Sequence, residues 1–327
     1  MAEILGKEIE FGVALESVRG TAKTTAEKWF KKITATVVEK VEKKVDESTR
    51  NRLEDSLATR IVKKWIEGEL SGNVHVDGIG YLFYSLYGGV TSTLVVTGVY
   101  SHVFAISNSN LHPCLSLFAK DGANSQEVYN GGMVSDMELN VASDDYLKFK
   151  ANFIARSNVA NSASVTYGTE YDLIGKDVVV KIATTEAGLS SATAIKVKEL
   201  SIKWDQGLIV DQVVGSLSPN DLFASKMAIE GELKLNYDAD TYKDLFNTDV
   251  YRYMQITITG TADLGTTNYP TITILMHRVA VTDWTRDDSA GDLVSQTVSF
   301  KAFFNETDVK QSTVTIKNKT AEYDTNA

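Results

Sequence analysis

The sequence predicts a mainly β fold: two tandem β-sandwich or barrel units, each with one short flanking α-helix. Three observations support this prediction. Apolar and polar residues alternate along many segments, which is typical of strands with one buried and one solvated face. The 327 residues include only three prolines and are rich in threonine, valine, serine and glycine, a composition that favours pleated sheet and polar turns. One segment also recurs in the second half of the chain, which indicates a duplication.

The clearest alternation runs from Ile66 to Asp77. Its even positions carry isoleucine, glycine, leucine and valine, whereas its odd positions are polar and include Glu67, Glu69 and His75. Successive side chains of a strand point to opposite faces. We therefore expect one face of this strand to be buried and the other to be solvated and acidic.

The remaining segments fit shorter strands, two helices and one hairpin. The strand candidates cover residues 33–41, 94–99, 115–119, 133–141, 146–155, 177–183, 194–204, 227–237, 253–260, 271–276 and 294–304. Helical patterns cover residues 78–87 and 240–248, and Asp238 or Asp240 is a suitable N-cap for the second. The charged stretch 45–60 fits a long exposed hairpin arm, with a short amphipathic helix as the alternative.

An internal repeat links the two halves of the chain. The IEGEL motif at 66–70 recurs at 229–233, and ten of the 21 positions from 63 to 83 are identical after a shift of 163. Two shorter similarities follow in the same order: HPCLSL at 112–117 with YPTITI at 269–274, and FKANF at 149–153 with FKAFF at 300–304. Three blocks in one order predict two copies of one β unit, with loops of different length between them.

The repeat divides the chain into three predicted parts. Residues 1–157 form a first unit, which carries an N-terminal arm and a charged hairpin at 39–60. Residues 158–306 form a second unit, and residues 307–327 form a C-terminal strand and a polar tail.

Several motifs together resemble one family. They are FGVALESVRGT at 11–21, the IEGEL strand, LYGG at 86–89, LSLFAKDG at 115–122 and YNGGMVS at 129–135. In type and order they resemble the major tail tube proteins of long-tailed, siphovirus-type bacteriophages. The resemblance covers most of residues 5–305, and it rests on the pattern of residue types and not on invariant catalytic residues.

The resemblance implies a structural role. Tube proteins of this kind form a β-sandwich with a helix on its flank, and their copies make rings whose inner strands form one continuous barrel. Stacked rings form the tube through which genomic DNA leaves the capsid. Single-unit relatives form hexameric rings, so the duplication predicts a homotrimer with pseudo-six-fold symmetry.

The same resemblance implies partners and a location. The partners are further copies of the chain, the tape measure, terminator and tip proteins of the tail, and double-stranded DNA that passes without specific binding. The location is the virion tail, after assembly in the host cytoplasm, with no membrane partner.

Two groups of residues are candidates for this role. The polar faces of the repeated strand are candidates for lining the lumen, although Lys234 and His75 share these faces. The candidate lumen residues are Glu67, Glu69, Asp77, Glu230, Glu232 and Asp238. Stacking one ring on the next needs projecting segments, and we expect these to be the N-terminal arm at 2–25, the hairpin at 39–60 and the C-terminal tail at 307–327. The candidate stacking residues are Glu16, Arg19, Glu47, Arg50 and Arg52.

Composition and motifs disfavour other functions. The net charge of −10 argues against wrapping nucleic acid by neutralising phosphates. The single cysteine, Cys114, rules out a disulfide within the chain, and the first residues lack the apolar run of a signal peptide. The four histidines lack metal-ligand spacing, and no phosphate-binding loop motif occurs. We therefore expect no enzymatic activity, metal or cofactor.

Three alternatives remain open at this stage. One is a tube of related fold, such as a secretion-system tube. The main alternative of another class is a two-domain β-sandwich binding module, either a phage fibre or receptor or a carbohydrate-binding protein. A β-rich hydrolase is the third.

Overall fold

The computed structural model describes residues 5–47, 53, 56, 58–122, 125–248, 250–288 and 293–323. These residues form nineteen strands and two α-helices. In the first half they are β1 (Ile9–Leu15), β2 (Lys28–Phe30), β3 (Ile33–Asp46), β4 (Ala58–Asn73), α1 (Ile79–Tyr87), β5 (Gly88–Val96), β6 (Val99–Ile106), β7 (Leu115–Asp121), β8 (Ser125–Ala142), β9 (Lys148–Ala155) and β10 (Ser157–Ala160). In the second half they are β11 (Val178–Ala183), β12 (Val197–Asp205), β13 (Ile209–Asp211), β14 (Asp221–Phe223), β15 (Ala228–Asn236), α2 (Thr241–Phe246), β16 (Arg252–Thr259), β17 (Thr271–Asp287), β18 (Ser295–Ala302) and β19 (Ser312–Asn318). The predicted mainly β fold with two short helices is confirmed.

An antiparallel sheet of eight strands runs through both halves of the chain. Its order is β3–β4–β9–β8–β12–β15–β18–β17. The C-terminal halves of β8 and β17 belong to this sheet, whereas their N-terminal halves belong to a second layer. In β8 the change of layer follows Gly131, which has a positive φ of 62° that glycine adopts without strain.

The second layer covers the apolar side of the eight-stranded sheet. In the first half it has the order β2–β1–β7–β8–β10. In the second half it has the order β11–β16–β17–β19–β6–β5. The strands β6 and β5 come from the first half, so β19 of the second half is held between strands of both halves.

The two halves share one hydrophobic core. All residues of α1 are buried, and residues of both halves pack in the same cluster. The Trp204 ring lies 5.4 Å from that of Phe83 in an edge-to-face contact, and its Nε1–H donates to the Tyr87 hydroxyl at 2.9 Å. That hydroxyl lies 3.1 Å from Ser312 Oγ. The halves are therefore stabilised by each other and not only by their own packing.

The repeat is visible in the topology. In each half an early strand, β3 or β12, pairs with the IEGEL strand, which in turn pairs with β9 or β18. The contacts of the motif glycines explain why glycine stands at these positions. Gly68 lies beneath the ring of Phe153, and Gly231 lies beneath the ring of Phe300. A Cβ at either glycine would overlap the ring, so only glycine lets the aromatic ring cross the strand.

The structure corrects the alignment of the other two repeat blocks. Phe300 is equivalent to Phe153 and not to Phe149, because both rings cover the motif glycine. HPCLSL begins β7, whereas YPTITI begins β17, and β17 is equivalent to β8. A shift of four residues keeps the alternation of a strand intact, so short matches between strands do not fix their register.

Four of the predicted elements have clear outcomes. The two helices are confirmed as α1 and α2. The charged hairpin is confirmed because β3 and β4 pair up to Asp46 and Ala58, so the amphipathic-helix alternative is wrong for the described residues. The strand predicted at 94–99 is wrong: Gly98, with φ of 77°, lies in the turn between β5 and β6.

The two ends of the chain are less projecting than predicted. In the N-terminal arm, β1 lies between β2 and β7, with Phe11 and Val13 buried. In the predicted polar tail, Tyr323 is buried, and its hydroxyl donates to the Asp77 carbonyl at 2.7 Å. No helix among the described residues is long and apolar enough to cross a membrane.

Candidate functional site

The polar face of the eight-stranded sheet carries most of the predicted lumen residues. Glu67 and Glu69 on β4 and Glu230 and Glu232 on β15 alternate with buried or glycine positions, as the sequence predicts. The facing positions of the other strands place further charges on the same face: Lys40, Lys148, Lys150, Asp136, Glu138, Glu199, Lys203, Asp205, Lys234, Lys301 and Asp283.

One row of charges crosses five adjacent strands of this face. Lys150, Glu138, Lys203, Glu230 and Lys301 stand directly opposite one another in β9, β8, β12, β15 and β18. Their signs alternate at every step. Facing charges of opposite sign on antiparallel strands contribute about 0.2–1 kcal/mol each, so the row favours this strand order as well as setting the charge of the face.

Lysine side chains pair with the predicted acidic residues. Lys150 Nζ lies 2.9 Å from a Glu69 carboxylate oxygen, and Lys301 Nζ lies 2.6 Å from Glu230. Glu67 accepts a hydrogen bond from Trp65 Nε1 at 2.8 Å and has Lys40 at 3.6 Å. The face is therefore a surface of alternating charge, and it is acidic only in its net balance.

Two predicted lumen residues lie beyond the strands. Asp238 follows the end of β15 in an exposed loop. Asp77 follows the end of β4, and its side chain is only 15% exposed, with Lys28 Nζ 3.8 Å away. Burial raises the pKa of Asp77, and the charge of Lys28 partly opposes this. Neither residue shares the face of Glu67 and Glu69.

His75 was expected on the solvated face and is instead buried. Its residue exposure is 1%, because β4 ends at Asn73 and the alternation no longer describes the side chains beyond that point. His75 Nε2 lies 2.7 Å from the Lys31 carbonyl, and Nδ1 lies 3.3 Å from a Glu170 carboxylate oxygen.

The residues predicted for ring stacking in the N-terminal arm face inward. Glu16 is 6% exposed, and its carboxylate accepts hydrogen bonds from the backbone N–H of Gly20 at 2.6 Å and of Gly131 at 2.7 Å. Ser116 Oγ donates to it at 3.0 Å. Burial raises the pKa of Glu16, and these donors partly offset the effect.

Arg19 joins the two halves of the chain. Its Nε donates to Asp221 at 2.8 Å, and its terminal nitrogens donate to the carbonyls of His112 and Leu222. The prediction that Glu16 and Arg19 project from the molecule is therefore wrong, because both side chains are engaged within it. Of the hairpin candidates, Glu47 is exposed just after β3, whereas Arg50 and Arg52 lie outside the described residues.

One group of side chains has the composition of a metal site. Among the described residues, Glu186, His277 and Asp308 bring possible ligand atoms within 4.8 Å of one another. His277 Nδ1 lies 2.9 Å from Asp308, and hydrogen bonding to His277 lowers the pKa of that carboxyl. Asn305 Nδ2–H also donates to Asp308 at 3.0 Å. These contacts are those of a hydrogen-bonded histidine–aspartate pair that fixes the loop after β18.

The two halves meet along one pair of strands in the eight-stranded sheet. This internal seam is the antiparallel pairing of β8 with β12, from Asp136 opposite Asp205 to Ala142 opposite Glu199. Its core side is apolar and buried. The facing apolar pairs are Trp204 with Met137, Ile202 with Leu139, and Leu200 with Val141.

The outermost strands leave the eight-stranded sheet with two open edges. Among the described residues, β3 has no strand partner except β4. From Ala280 to Arg286, β17 pairs only with β18 within the described part of the chain. We call these the β3 edge and the β17 edge. Open edges of this length are templates for pairing with another strand.

A comparison with protein families decides the identity. Residues 6–302 match the model of a family described as phage tail tube protein. The chain belongs to this family. The resemblance seen in the sequence is thereby confirmed, and the family is a structural one that is generally not enzymatic. The phage tail tube assignment places the protein in the tail of the virion, with other tail components.

Other comparisons add little to the family assignment. A solved structure of the SPP1 tail tube, determined by solid-state NMR and electron cryomicroscopy, is 15% identical and covers 47% of this chain and 81% of that chain, with a TM-score of 0.29. No curated protein matches the sequence.

Proposed function

We propose that this tail tube protein forms closed rings by joining the β3 edge of one copy to the β17 edge of the next. The observation that supports the proposal is the internal seam, in which the chain already joins two equivalent units side by side in one sheet. Ring closure repeats this junction between copies and removes both open edges, which is how closed barrels avoid uncontrolled edge pairing.

Three copies per ring fit the duplication. Each copy supplies two equivalent units, so a trimer has six units and pseudo-six-fold symmetry. A barrel of about 24 strands, with ~4.8 Å between strands and ~40° of tilt, has a backbone diameter of about 48 Å. That diameter leaves an open centre after side chains of both walls are added.

In the ring, the polar face of the eight-stranded sheet lines the lumen, with Glu67, Glu69, Glu230 and Glu232 upon it. Asp77 and Asp238 lie outside this surface. Nucleic acid binds proteins through lysines and arginines that neutralise phosphates. Here lysines such as Lys150 and Lys301 are paired with carboxylates, so the wall offers DNA few free cations, and the genome passes during ejection without adhering.

The hairpin of β3 and β4 is the segment we propose for stacking rings. Pairing of β4 with β9 covers only Ile66 to Asn73, so the two strands continue as a ribbon from there to Asp46 and Ala58. Eight residues of strand extend about 26 Å at ~3.3 Å per residue. Glu47 directly follows β3, and Arg50 and Arg52 come between β3 and β4 in the sequence. Contact between rings is the role we propose for these three residues.

Electron microscopy of the purified chain tests this function. After concentration, negative-stain images should show hollow rings or tubes, and averaged end views should show three-fold or pseudo-six-fold symmetry. Solid particles of constant size that never form rings or tubes, at any concentration tested, would contradict the proposal.

A further inference from the structure

We infer that the internal seam is a residue-by-residue template for the junction between copies, and that Val38 of one copy therefore stands opposite Thr285 of the next. The inference rests on the proposed ring, and it adds the antiparallel orientation and the register of the contact. The partner is a second copy of this chain, and the surface is the pair formed by the β3 edge and the β17 edge.

The first step equates β3 with β12. Leu70 and Leu233 close the two IEGEL motifs and are equivalent by the repeat. On one side of the motif strand, Leu70 of β4 stands opposite Ala35 of β3, and Leu233 of β15 stands opposite Leu200 of β12. Residues of β3 therefore correspond to residues of β12 that are 165 positions later. By this relation, Val38 occupies the place of Lys203.

The second step equates the C-terminal halves of β8 and β17. On the other side of the motif strand, Phe153 and Phe300 cover the equivalent glycines. One strand further, both sheets have a bulge at the same place, between Val134 and Asp136 in β8 and between Val281 and Asp283 in β17.

The bulges also agree in sequence. The segments read VSD in β8 and VTD in β17. A bulge shifts the register by one residue. Because the bulge recurs at the same place, it fixes which residue of β17 corresponds to which residue of β8. Residues of β17 therefore correspond to residues of β8 that are 147 positions earlier, and Thr285 occupies the place of Glu138.

The third step transfers the contact. In the internal seam Lys203 stands opposite Glu138, so the equivalent contact between copies joins Val38 to Thr285. The same transfer sets Lys40 opposite Asp283, from the seam pair of Asp205 with Asp136. The resulting lysine–aspartate pair has opposite charges, which favours this register.

The core side of the junction offers a second complementary pair. Trp204 stands opposite Met137 in the internal seam, and the transfer places Glu39 opposite Trp284. Arg286 then lies diagonally across from Glu39 on the same face, within reach of long side chains. In the single chain these side chains have other partners, Lys64 at 3.1 Å from Glu39 and Asp288 at 2.5 Å from Arg286, and both partners are exposed enough to exchange.

Paired cysteines test the register. The variant Val38→Cys/Thr285→Cys places two thiols opposite each other in the proposed junction, within the Cα separation that a disulfide spans. The native Cys114 is buried and does not compete. On mild oxidation of assembled material, denaturing gels should show covalent dimers and trimers, with about tenfold more product than the control gives.

Two control variants are matched to this one. Thr36→Cys/Asp283→Cys uses the same strands and the same face, but its positions are offset by about 13 Å along the strand in the proposed register, so it should form little product. Glu138→Cys/Lys203→Cys is the equivalent pair inside one chain. It should form a disulfide within the monomer and shows that this geometry permits oxidation.

The outcomes separate the register from the proposed function. Rings with selective linkage of Val38→Cys/Thr285→Cys support the inference. Rings in which the offset pair links better, or in which only the internal pair forms, overturn the register and leave the ring intact. Particles that form no rings and give no linkage between copies overturn both.

Discussion

The strands of the internal seam and the strands of the two open edges hold equivalent places in the repeat but carry different side chains. On the core side of the internal seam, Trp204 and Met137 face each other, both fully buried. At the equivalent positions of the open edges the residues are Glu39 and Trp284. The next pair in the seam is Ile202 with Leu139. At the edges, Val37 takes the place of Ile202, and Arg286 takes the place of Leu139.

In the proposed ring, this difference reflects when each junction forms. The internal seam forms once, during folding of a single chain, so apolar side chains stabilise it. The open edges must stay exposed to solvent, without pairing to other strands, until other copies arrive. Charged residues that point inward at an edge strand discourage pairing with the wrong partner, whereas Glu39 and Arg286 can satisfy each other in the right one. In the proposed ring, one repeated unit thus supplies both a permanent contact within the chain and a conditional contact between copies.

The largest expected effect comes from removing the central side chain of the internal seam. Trp204→Ala should lower the free energy of unfolding by about 3–5 kcal/mol, because it leaves a cavity in the core and removes the hydrogen bond to Tyr87. Chemical denaturation measures the loss. If the variant does not fold, Ile202→Val should still fold with a loss of about 0.5–1.5 kcal/mol.

The matched substitution at the β3 edge is Glu39→Ala. In the single chain it should change the unfolding free energy by less than about 0.5 kcal/mol, because the ion pair of Glu39 with Lys64 is exposed to solvent. Similar losses for Glu39→Ala and Trp204→Ala would contradict the distinction between the two regions.

The motif glycines provide the next largest effect. Gly68→Ala should destabilise the chain by about 1–3 kcal/mol, because the new methyl group meets the ring of Phe153. Gly231→Ala should behave alike beneath Phe300. Replacing the covering phenylalanine by leucine in the same variant, Phe153→Leu with Gly68→Ala or Phe300→Leu with Gly231→Ala, should recover part of the lost stability. A large effect in one unit and none in the other, measured by urea denaturation, would show that the units are not equivalent.

Charge reversal at the open edges should affect assembly and not folding. Lys40→Asp should raise the concentration needed for ring formation, and the double variant Lys40→Asp/Asp283→Lys should restore it. Each junction is expected to lose about 0.2–1 kcal/mol, an effect that salt weakens. Sedimentation at increasing concentration measures it, and a double variant that assembles worse than Lys40→Asp would contradict the pairing.

The smallest expected effect concerns a position of the repeat that is aspartate in both halves. Asp77 and Asp240 are equivalent in the repeat, yet burial raises the pKa of Asp77 above its usual 3.8, whereas a hydrogen bond from Tyr237 lowers the pKa of Asp240. Carbon-13 NMR titration of the carboxyl groups should find Asp77 above 3.8 and Asp240 below it. Two titrations on the same side of 3.8 would contradict the contrast.

The signs follow from linkage. Asp77 contributes stability that is present below pH 3.8, its ordinary pKa, and that is lost as the pH rises through the raised pKa of the folded state. Asp240 contributes stability that is present above 3.8 and that is lost as the pH falls through its lowered pKa. The protein should therefore lose less stability with rising pH in the variant Asp77→Asn. Urea midpoints measured across this pH range, compared with those of Asp240→Asn, check this.

Local pattern predicted the strands well because burial alternates along them. The face of Glu67 and Glu69 and the repeat of IEGEL follow directly from the order of residues. The same reasoning failed at His75 and Asp77, since nothing in the alternation marks the end of β4 at Asn73. The ion pairs of the polar face were also hidden, because each lysine comes from a neighbouring strand far away in sequence.

Register and long-range pairing could not be predicted from the sequence. The segments FKANF and FKAFF align by residue type from their first phenylalanines, yet the structurally equivalent residues are Phe153 and Phe300. Only the contact of each ring with its motif glycine reveals this equivalence. The apolar run of β1 was assigned to a projecting arm because its neighbours β2 and β7 were not apparent. The internal seam depends on pairing β8 with β12, which no sequence motif marks. The repeated bulge, VSD and VTD, indicates only that β8 and β17 are equivalent.

The most direct test of ring closure is an electron cryomicroscopy structure of the assembled tube at a resolution that traces single strands. We expect one continuous antiparallel barrel in which β3 pairs with the C-terminal half of β17 from the next copy, just as β12 pairs with β8 within the chain. A tube in which the β3 edge and the β17 edge remain apart would contradict it.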